Sequence, residues 1–275
     1  MATLHLVATP IGNLEDVTLR ALRVLREAEL VLAEDTRHTR VLLERHGITA
    51  SLVSLHAHNE QQRSERALAA LARGADVALV SDAGTPLVSD PGERLVRAAI
   101  DAGHAVCAVP GPSAVLAALV ASGLAGGAFT FLGFAPRKAG ERRALFASLR
   151  DRAETLVLFE SPRRLAATLS ELAAALGARR ACVARELTKL HEELARGTLA
   201  ELAARFASGA RGEVTLVVEG APARAVEASS ELVDAAIRAR AAAGGSASEI
   251  ARDVARATGA SRSAVYERVL AIAKR

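Results

Sequence analysis

Cysteine is scarce in this 275-residue sequence, with only Cys107 and Cys182. Each sits inside an apolar, strand-like run, "HAVCAVPG" and "ACVAREL". Two buried, reduced thiols are therefore expected rather than a disulfide framework or a metal pair, which fits a cytoplasmic protein. Lysine is nearly missing as well. Lys138, Lys189 and Lys274 are the only three among 35 basic residues, and the other 32 are arginines. With so much alanine this resembles the composition of a GC-rich genome, so the formal net charge of +4 does not by itself point to a nucleic-acid partner. No apolar run reaches membrane-spanning length, and the opening "MATLHLVATPIGN" has neither the basic nor the apolar region of a secretory signal. Neither G-x-G-x-x-G nor G-x-x-x-x-G-K-[ST] occurs, which disfavours a dinucleotide Rossmann site and a P-loop. No repeat of fixed period is present, which argues against a solenoid.

What is present is a well-packed globular chain, 51% hydrophobic with a mean hydropathy of +0.21. From residue 4 to 219 short apolar runs alternate with amphipathic stretches. "LHLVAT", "ELVLAED", "SLVSLH", "DVALVSD" and "HAVCAVPG" read as strands, and so do "FTFLGF", "TLVLFES", "RACVAREL" and "EVTLVVEG". Helices fall between them. Asp16 is positioned to cap 17–28 and Asp35 to cap the helix that stops at Gly47. Such alternation predicts an α/β fold with largely parallel sheets covered on both faces. Near residue 112 the loops change from glycine- and aspartate-rich to arginine-rich. Two α/β domains are expected, 1–112 and 113–221, followed by a helical tail, 222–275. Gly259 splits the end of the tail into a helix-turn-helix-like pair whose only aromatic residue is Tyr266. A three-helix cap with no nucleic-acid contact accounts for that pattern equally well.

Ligands of doubly wound sheets gather at the carboxyl ends of strands. Three strands end in suitable loops: Thr9 to Leu14, Ser81 to Pro86, and Val109 to Ala114. Glycines there allow close backbone approach, and Ser113 opens a helix whose first amides are free. Asp82 and exposed carbonyls suit a cation, while the helix start suits a carboxylate. Such a site suits a zwitterion such as S-adenosylmethionine, with other nucleosides or phosphates as alternatives.

Other stretches are chemically mixed. Glu34, Asp35 and Arg37 meet at a strand-to-helix junction, where a helix cap with a local charge pair is the plain reading. His56 and His58 share a face if extended, but no third metal ligand accompanies them. "ARELTKLHEE" concentrates Arg185, Glu186, Lys189, His191, Glu192 and Glu193 after a buried strand. "FAPRKAGERR" and "SPRRL" cluster basic residues that serve either as a solvated face or as phosphate contacts.

Taken in order, "VATPIGNLEDVTLRAL", "EDTRHTRVLL", "HNE", "VSDAGTPLVSDPG", "VPGPSA", "FLGF", "FESPRR", "RELTK" with "HEE", and "GEVTLVVEG" resemble the ribosomal RNA small-subunit methyltransferase I family of the tetrapyrrole methylase superfamily. The resemblance covers about residues 4–220. It implies a homodimeric two-domain α/β enzyme that binds S-adenosylmethionine and methylates the ribose 2'-hydroxyl of a cytidine in the decoding region of 16S rRNA, acting on the assembled small subunit. By position it implies cofactor contacts at Pro10, Asp82, Ala83, Gly84, Thr85, Ser113, Ala114, Phe159 and Glu160. For catalysis Glu186 or Lys189 is expected to serve the hydroxyl, with Arg185 and Arg37 on the adjacent phosphate. Asn59 and Glu60 are expected to orient the nucleotide. Arg137, Lys138, Arg142, Arg143, Arg163 and Arg164 become candidate rRNA backbone contacts. Two rivals stand beside this reading. One is a C-methyltransferase of a tetrapyrrole precursor, against which the Ser81–Pro86 loop speaks; the other is a non-catalytic, nucleoside-sensing RNA-binding protein.

Overall fold

The structure, a computed structural model, describes residues 2–56, 59–222 and 230–273. These fall into two compact units, divided after Gly220.

In the first unit β1 (Thr3–Val7), β2 (Leu30–Ala33), β3 (Leu52–Ser54), β4 (Val77–Val80) and β5 (Ala105–Val109) form a parallel sheet in the order β3-β2-β4-β1-β5. Every residue of β2 and β4 is buried, as interior strands covered on both faces require. Alternate residues serve opposite cores. Leu4, Leu32 and Leu79 pack beneath α3 (Glu60–Ala72) and α4 (Glu93–Asp101), whereas Val7, Val31 and Val80 pack beneath α1 (Leu19–Glu27) and α2 (Thr36–Arg45). The chain leaves β1 toward one face and the neighbouring β4 toward the other. A crevice therefore opens at their carboxyl ends.

The same unit holds a second sheet of β6 (Phe129–Phe134), β7 (Thr155–Glu160), β8 (Arg180–Arg185), β9 (Glu193–Thr198) and β10 (Val214–Val218), in the order β6-β7-β10-β8-β9. Its core lies against α6 (Ala139–Ser148), α7 (Leu165–Leu176) and α8 (Leu199–Arg205). On the opposite face α5 (Ala114–Ser122) sets Val115, Ala118 and Leu119 against Val157, Cys182 and Val217. Only β6 and β7 pair in parallel; β10 runs antiparallel to β7 and β8, and β9 antiparallel to β8. The expected largely parallel arrangement thus holds for the first sheet and fails for the second. Strand β9 has no apolar run to announce it, since only Ala195 of its six residues is buried.

Two local expectations also change. Asp16 does not cap α1; it lies in a short 3-10 helix, Leu14–Asp16, capped by Asn13, and Thr18 caps α1 by accepting from the Ala21 amide. Asp35 does cap α2, accepting from the Arg37 amide. Cys182 is buried, whereas Cys107 is exposed because β5 is an edge strand with one face uncovered.

The second unit comprises α9 (Ser230–Ala242), α10 (Ala247–Thr258) and α11 (Arg262–Ala273). Val233, Ile237, Ile250, Val254, Val265 and Val269 form its core. Ser246 and Glu249 make a capping box at the start of α10, and Gly259, left-handed at φ 73°, ends that helix. Among the described residues no helix is long and apolar enough to cross a membrane.

Candidate active site

Three loops at the carboxyl end of the first sheet are tied to one another. Thr9 and Gly84 exchange backbone hydrogen bonds of 2.9 and 3.0 Å, and the Thr9 hydroxyl donates to the Ser81 carbonyl. The Thr85 hydroxyl donates to the Pro112 carbonyl. Gly84 adopts φ 84°, a left-handed conformation that glycine takes at no steric cost. Above these loops lies a cavity of about 390 Å³, within the usual range for a small-molecule site. Asp82, Ala83, Gly84, Thr85, Ser113, Ala114, Phe159 and Glu160, all expected from the sequence, line it. Pro10 does not. It is buried beneath, and its neighbour Ile11 reaches the cavity instead.

The lining of the cavity is both acidic and aromatic. Asp82 accepts from the Asp35 amide at 2.7 Å, and Glu34 and Asp90 join it in the lining. Partial burial, then the charges of Asp90, Asp82 and Asp35, push the Glu34 carboxyl above its ordinary value. Burial likewise raises Asp90, against a lowering hydrogen bond from the Ser81 hydroxyl. Phe134 and Phe159 also line the cavity, their ring centres 5.4 Å apart. Ser113 caps α5 by accepting from the Leu116 amide, which leaves other amides of the first turn facing outward. The Glu160 carboxylate is largely engaged within the protein. It is fully buried, paired with Arg164, and accepts from the Thr168 hydroxyl and the Ser161 amide at 2.6 Å each.

At the edge of this cavity the second sheet supplies a charged cluster. Lys189 Nζ donates to Glu186 Oε1 at 3.0 Å and to Glu213 Oε2 at 2.9 Å, and Glu213 lines the cavity. Of this cluster only Glu213 is in the lining; Glu186, Lys189 and Arg185 are not. The hydrogen bond from the Glu213 amide, then that from Lys189, holds Glu186 below the ordinary carboxylate range. Burial works to lower the Lys189 ammonium, but its bonds to Glu213 and Glu186 outweigh that and leave it above its usual value. Glu186 and Thr188 both adopt positive φ, 52° and 64°. Such strain persists only where the surroundings impose it. Here the Asn13 amide donates to the Thr188 hydroxyl, and a Cβ on Gly12 would stand 2.5 Å from Lys189 Cγ. The first loop of one sheet is thus locked against the Lys189 loop of the other.

The expected RNA contacts divide. Asn59 is engaged locally, accepting from the His56 amide and donating to the Ser54 carbonyl, and Glu60 accepts from the Arg94 amide at the start of α4. His58 lies outside the described residues. Arg37 folds back on its own cap, Asp35, in a bidentate pair. Arg142 and Arg164 are engaged within the protein: Arg142 is buried against Glu171, and Arg164 holds the carbonyls of Ala135 and Pro136 as well as Glu160. Lys138 pairs with Glu141 on the surface and Arg143 donates to the Ala139 carbonyl of its own helix. Arg137 and Arg163 are exposed and make no ion pair among the described residues.

The profile of the Tetrapyrrole (Corrin/Porphyrin) Methylases matches residues 3–203. The Ribosomal RNA small subunit methyltransferase I of Mesorhizobium japonicum is 49% identical over 270 residues, covering 97% of this chain and 91% of that protein. The chain belongs to the ribosomal RNA small subunit methyltransferase I family. Its Synechocystis member is 44% identical over 97% of both chains. Among solved structures, a Uroporphyrin-III C-methyl transferase from Thermus thermophilus complexed with S-adenyl homocysteine shares the fold, with a TM-score of 0.57 and 24% identity over 80% of this chain and 97% of that one.

In this methyltransferase several cavity residues escaped the sequence reading. Phe134 closes the "FLGF" run, where Gly133 at φ 65° and a register shift between Phe131 and Phe134 turn the ring to the cavity. Gly212 to Thr215 reach it because β10 is reversed. Val214, at its start, pairs with Glu160 at the end of β7 and with Arg185 at the end of β8. Glycine within "FLGF" was an available signal; the reversal had none.

Proposed function

We propose that this chain transfers the methyl group of S-adenosylmethionine to the ribose 2'-hydroxyl of a cytidine in the decoding region of 16S rRNA. It acts on the small ribosomal subunit, in the cytoplasm and as a homodimer. The observation that carries the reading is the Lys189–Glu186–Glu213 cluster at the rim of a cavity suited to a cationic, purine-bearing ligand. The names of its relatives supply the class of acceptor.

The residues present fit the cofactor. Asp82, Asp90 and Glu34 complement a cationic amine or sulfonium, and the opening turn of α5 complements a carboxylate. Phe134 and Phe159 supply aromatic surface for a purine. When bound, S-adenosylmethionine supplies an electrophilic methyl group. The chain supplies alignment and charge. The domains proposed at 1–112 and 113–221 contribute opposite walls, and the locked Gly12–Lys189 contact fixes their separation. Lys189, cationic at neutral pH, stabilises the developing alkoxide, and Glu186 holds the ammonium in place. Exposed apolar residues support the homodimer: Leu116 and Val120 on α5, with edge strands β5 and β6 exposing Cys107 and Phe129.

The deciding experiment offers radiolabelled S-adenosylmethionine to purified small subunits that lack the modification, followed by nuclease mapping. Label recovered as 2'-O-methylcytidine in 16S rRNA is expected. Unlabelled RNA, with cofactor binding intact by calorimetry, would overturn the acceptor and redirect attention to tetrapyrrole precursors.

The acidic wall carries a second prediction. Because burial raises Asp90, its ionisation costs folding stability as pH rises through that raised value, and protonation restores it. Once protonated, Asp90 can donate to Ser81 Oγ, which frees the Ser81 hydroxyl for the Ala83 carbonyl. Asp90→Asn is expected to raise the Tm of the ligand-free protein by a few degrees and to weaken S-adenosylmethionine several-fold near neutral pH. Thermal melts and calorimetric titration across pH check both halves. A variant with lower Tm and unchanged affinity would contradict them.

A further inference from the structure

A second cavity, of about 430 Å³, opens beside the first, where β8, β9 and the end of α8 meet the turn into β10. Arg185, Arg205 and Arg211 line it with a single carboxylate, Glu193. Arg185 and Glu193 face one another across the β8–β9 ladder, and Arg185 Nε and Nη2 both lie 2.8 Å from Glu193 Oε2. Arg205 Nη2 lies 2.8 Å from Oε1, so each oxygen of Glu193 is already held by a different guanidinium. That hydrogen bond from Arg185, with the charge of Arg205, keeps Glu193 below the ordinary carboxylate range. Two cations around one anion leave an excess positive charge. Arg211 adds a second excess charge, since its exposed side chain makes no ion pair among the described residues. A purely structural pair would need one arginine. Arg185 spends Nε and Nη2 on Glu193 and Nη1 on the Arg211 carbonyl, so Arg205 and Arg211 are the arginines with donors left to meet an anion in this concave pocket.

We infer that this cavity holds a phosphodiester of the RNA substrate, next to the nucleotide that reacts. The inference rests on the function proposed above and names a subsite for it. Guanidinium forks match phosphate oxygens in a planar, two-point fashion that lysine cannot reproduce. Placement makes the phosphate a neighbour of the reacting ribose. Arg211 is two residues from Glu213, at most about 7 Å of chain, and Glu213 both lines the first cavity and holds Lys189. A hydroxyl beside Glu213 and Lys189 would thus stand roughly a nucleotide's reach from Arg211. Arg205 and Arg211 were not singled out by sequence, because neither lies within the dense "RELTKLHEE" stretch.

The test is steady-state methylation of small subunits by Arg211→Gln and by the Arg205→Gln/Arg211→Gln double variant. Expected are a KM for subunits raised about tenfold in the double variant, kcat within about twofold, and unchanged cofactor affinity. Inorganic phosphate should inhibit wild type competitively against subunits and act more weakly on the double variant. The salt dependence of binding to a 16S rRNA fragment should flatten by about 0.7 in logarithmic slope for each arginine–phosphate pair removed, and Arg211→Lys should recover affinity only in part. Unchanged KM and salt slope in an active double variant would overturn the subsite. If wild type transfers no methyl to subunits, the functional reading fails. The binding arm then decides the subsite alone: equal affinity of wild type and double variant for the RNA fragment removes it. Arg211→Gln alters an exposed side chain without an ion-pair partner, so it keeps the test valid if the double variant loses stability.

Discussion

Replacing Lys189 by methionine is expected to slow methyl transfer about 10²- to 10³-fold at saturating substrate, with cofactor affinity essentially unchanged. A ribose hydroxyl is a weak acid, so the barrier depends on how the oxygen's developing negative charge is met. Of the two groups expected to serve it, Glu186 is poorly suited as a base. The Glu213 amide and Lys189 already stabilise its ionised form, and a carboxylate held low has little appetite for a proton. Lys189 is held on the opposite side of its ordinary value, fully charged wherever ribosomes are intact. Its role is therefore electrostatic. Methionine keeps the length of the side chain and removes the charge. Glu186→Gln provides a distinct readout. Taking away a carboxylate that raises the lysine should move the alkaline limb of the kcat profile to lower pH, whereas a merely structural Glu186 would leave that limb in place. Wild-type kcat in Lys189→Met would end this assignment.

The site was legible where the chemistry is local. The turns at Thr9–Leu14, Ser81–Pro86 and Val109–Ala114 declare themselves through glycine, proline and helix-capping residues, and all three loops sit at one end of one sheet. Pairing direction is different in kind. Nothing within "GEVTLVVEG" distinguishes a parallel from an antiparallel strand, yet the reversal of β10 is what carries Gly212 and Glu213 to the cavity. Strand β9 failed for another reason, since an edge strand with one buried residue gives no hydrophobic period to read. Arginine clusters were the least legible of all. Arg137 and Arg142 look alike in "FAPRKAGERR", but one is exposed and the other meets a carboxylate 29 positions away. Only tertiary structure separates them.

That separation yields a large expected effect on stability. Arg142→Ala is expected to destabilise the first unit by about 3 kcal/mol and to lower Tm by about 6–12 °C. Arg142 lies on α6 with its side chain 8% exposed. Its Nε and Nη2 reach the two oxygens of Glu171 on α7 at 2.7 and 2.8 Å, and Nη1 donates to the carbonyls of Pro136 and Arg137. All three nitrogens are spent on fastening the β6–α6 loop and α6 to α7. Truncation leaves a partly buried carboxylate and the Arg137 carbonyl without this donor, while the Pro136 carbonyl keeps Arg164; stranding the carboxylate costs more than the pair contributes when intact. Arg142→Lys should recover little, because an ammonium cannot span both carboxylate oxygens and the loop carbonyls together. Combining Arg142→Met with Glu171→Leu should recover much of the loss, since the stranded charge is then gone. Arg137→Ala and Arg163→Ala, by contrast, should leave Tm unchanged and weaken subunit binding at low salt. If Arg142→Ala instead melted like wild type and bound RNA poorly, the buried pair with Glu171 would be wrong, and Arg142 would return to the RNA-binding face.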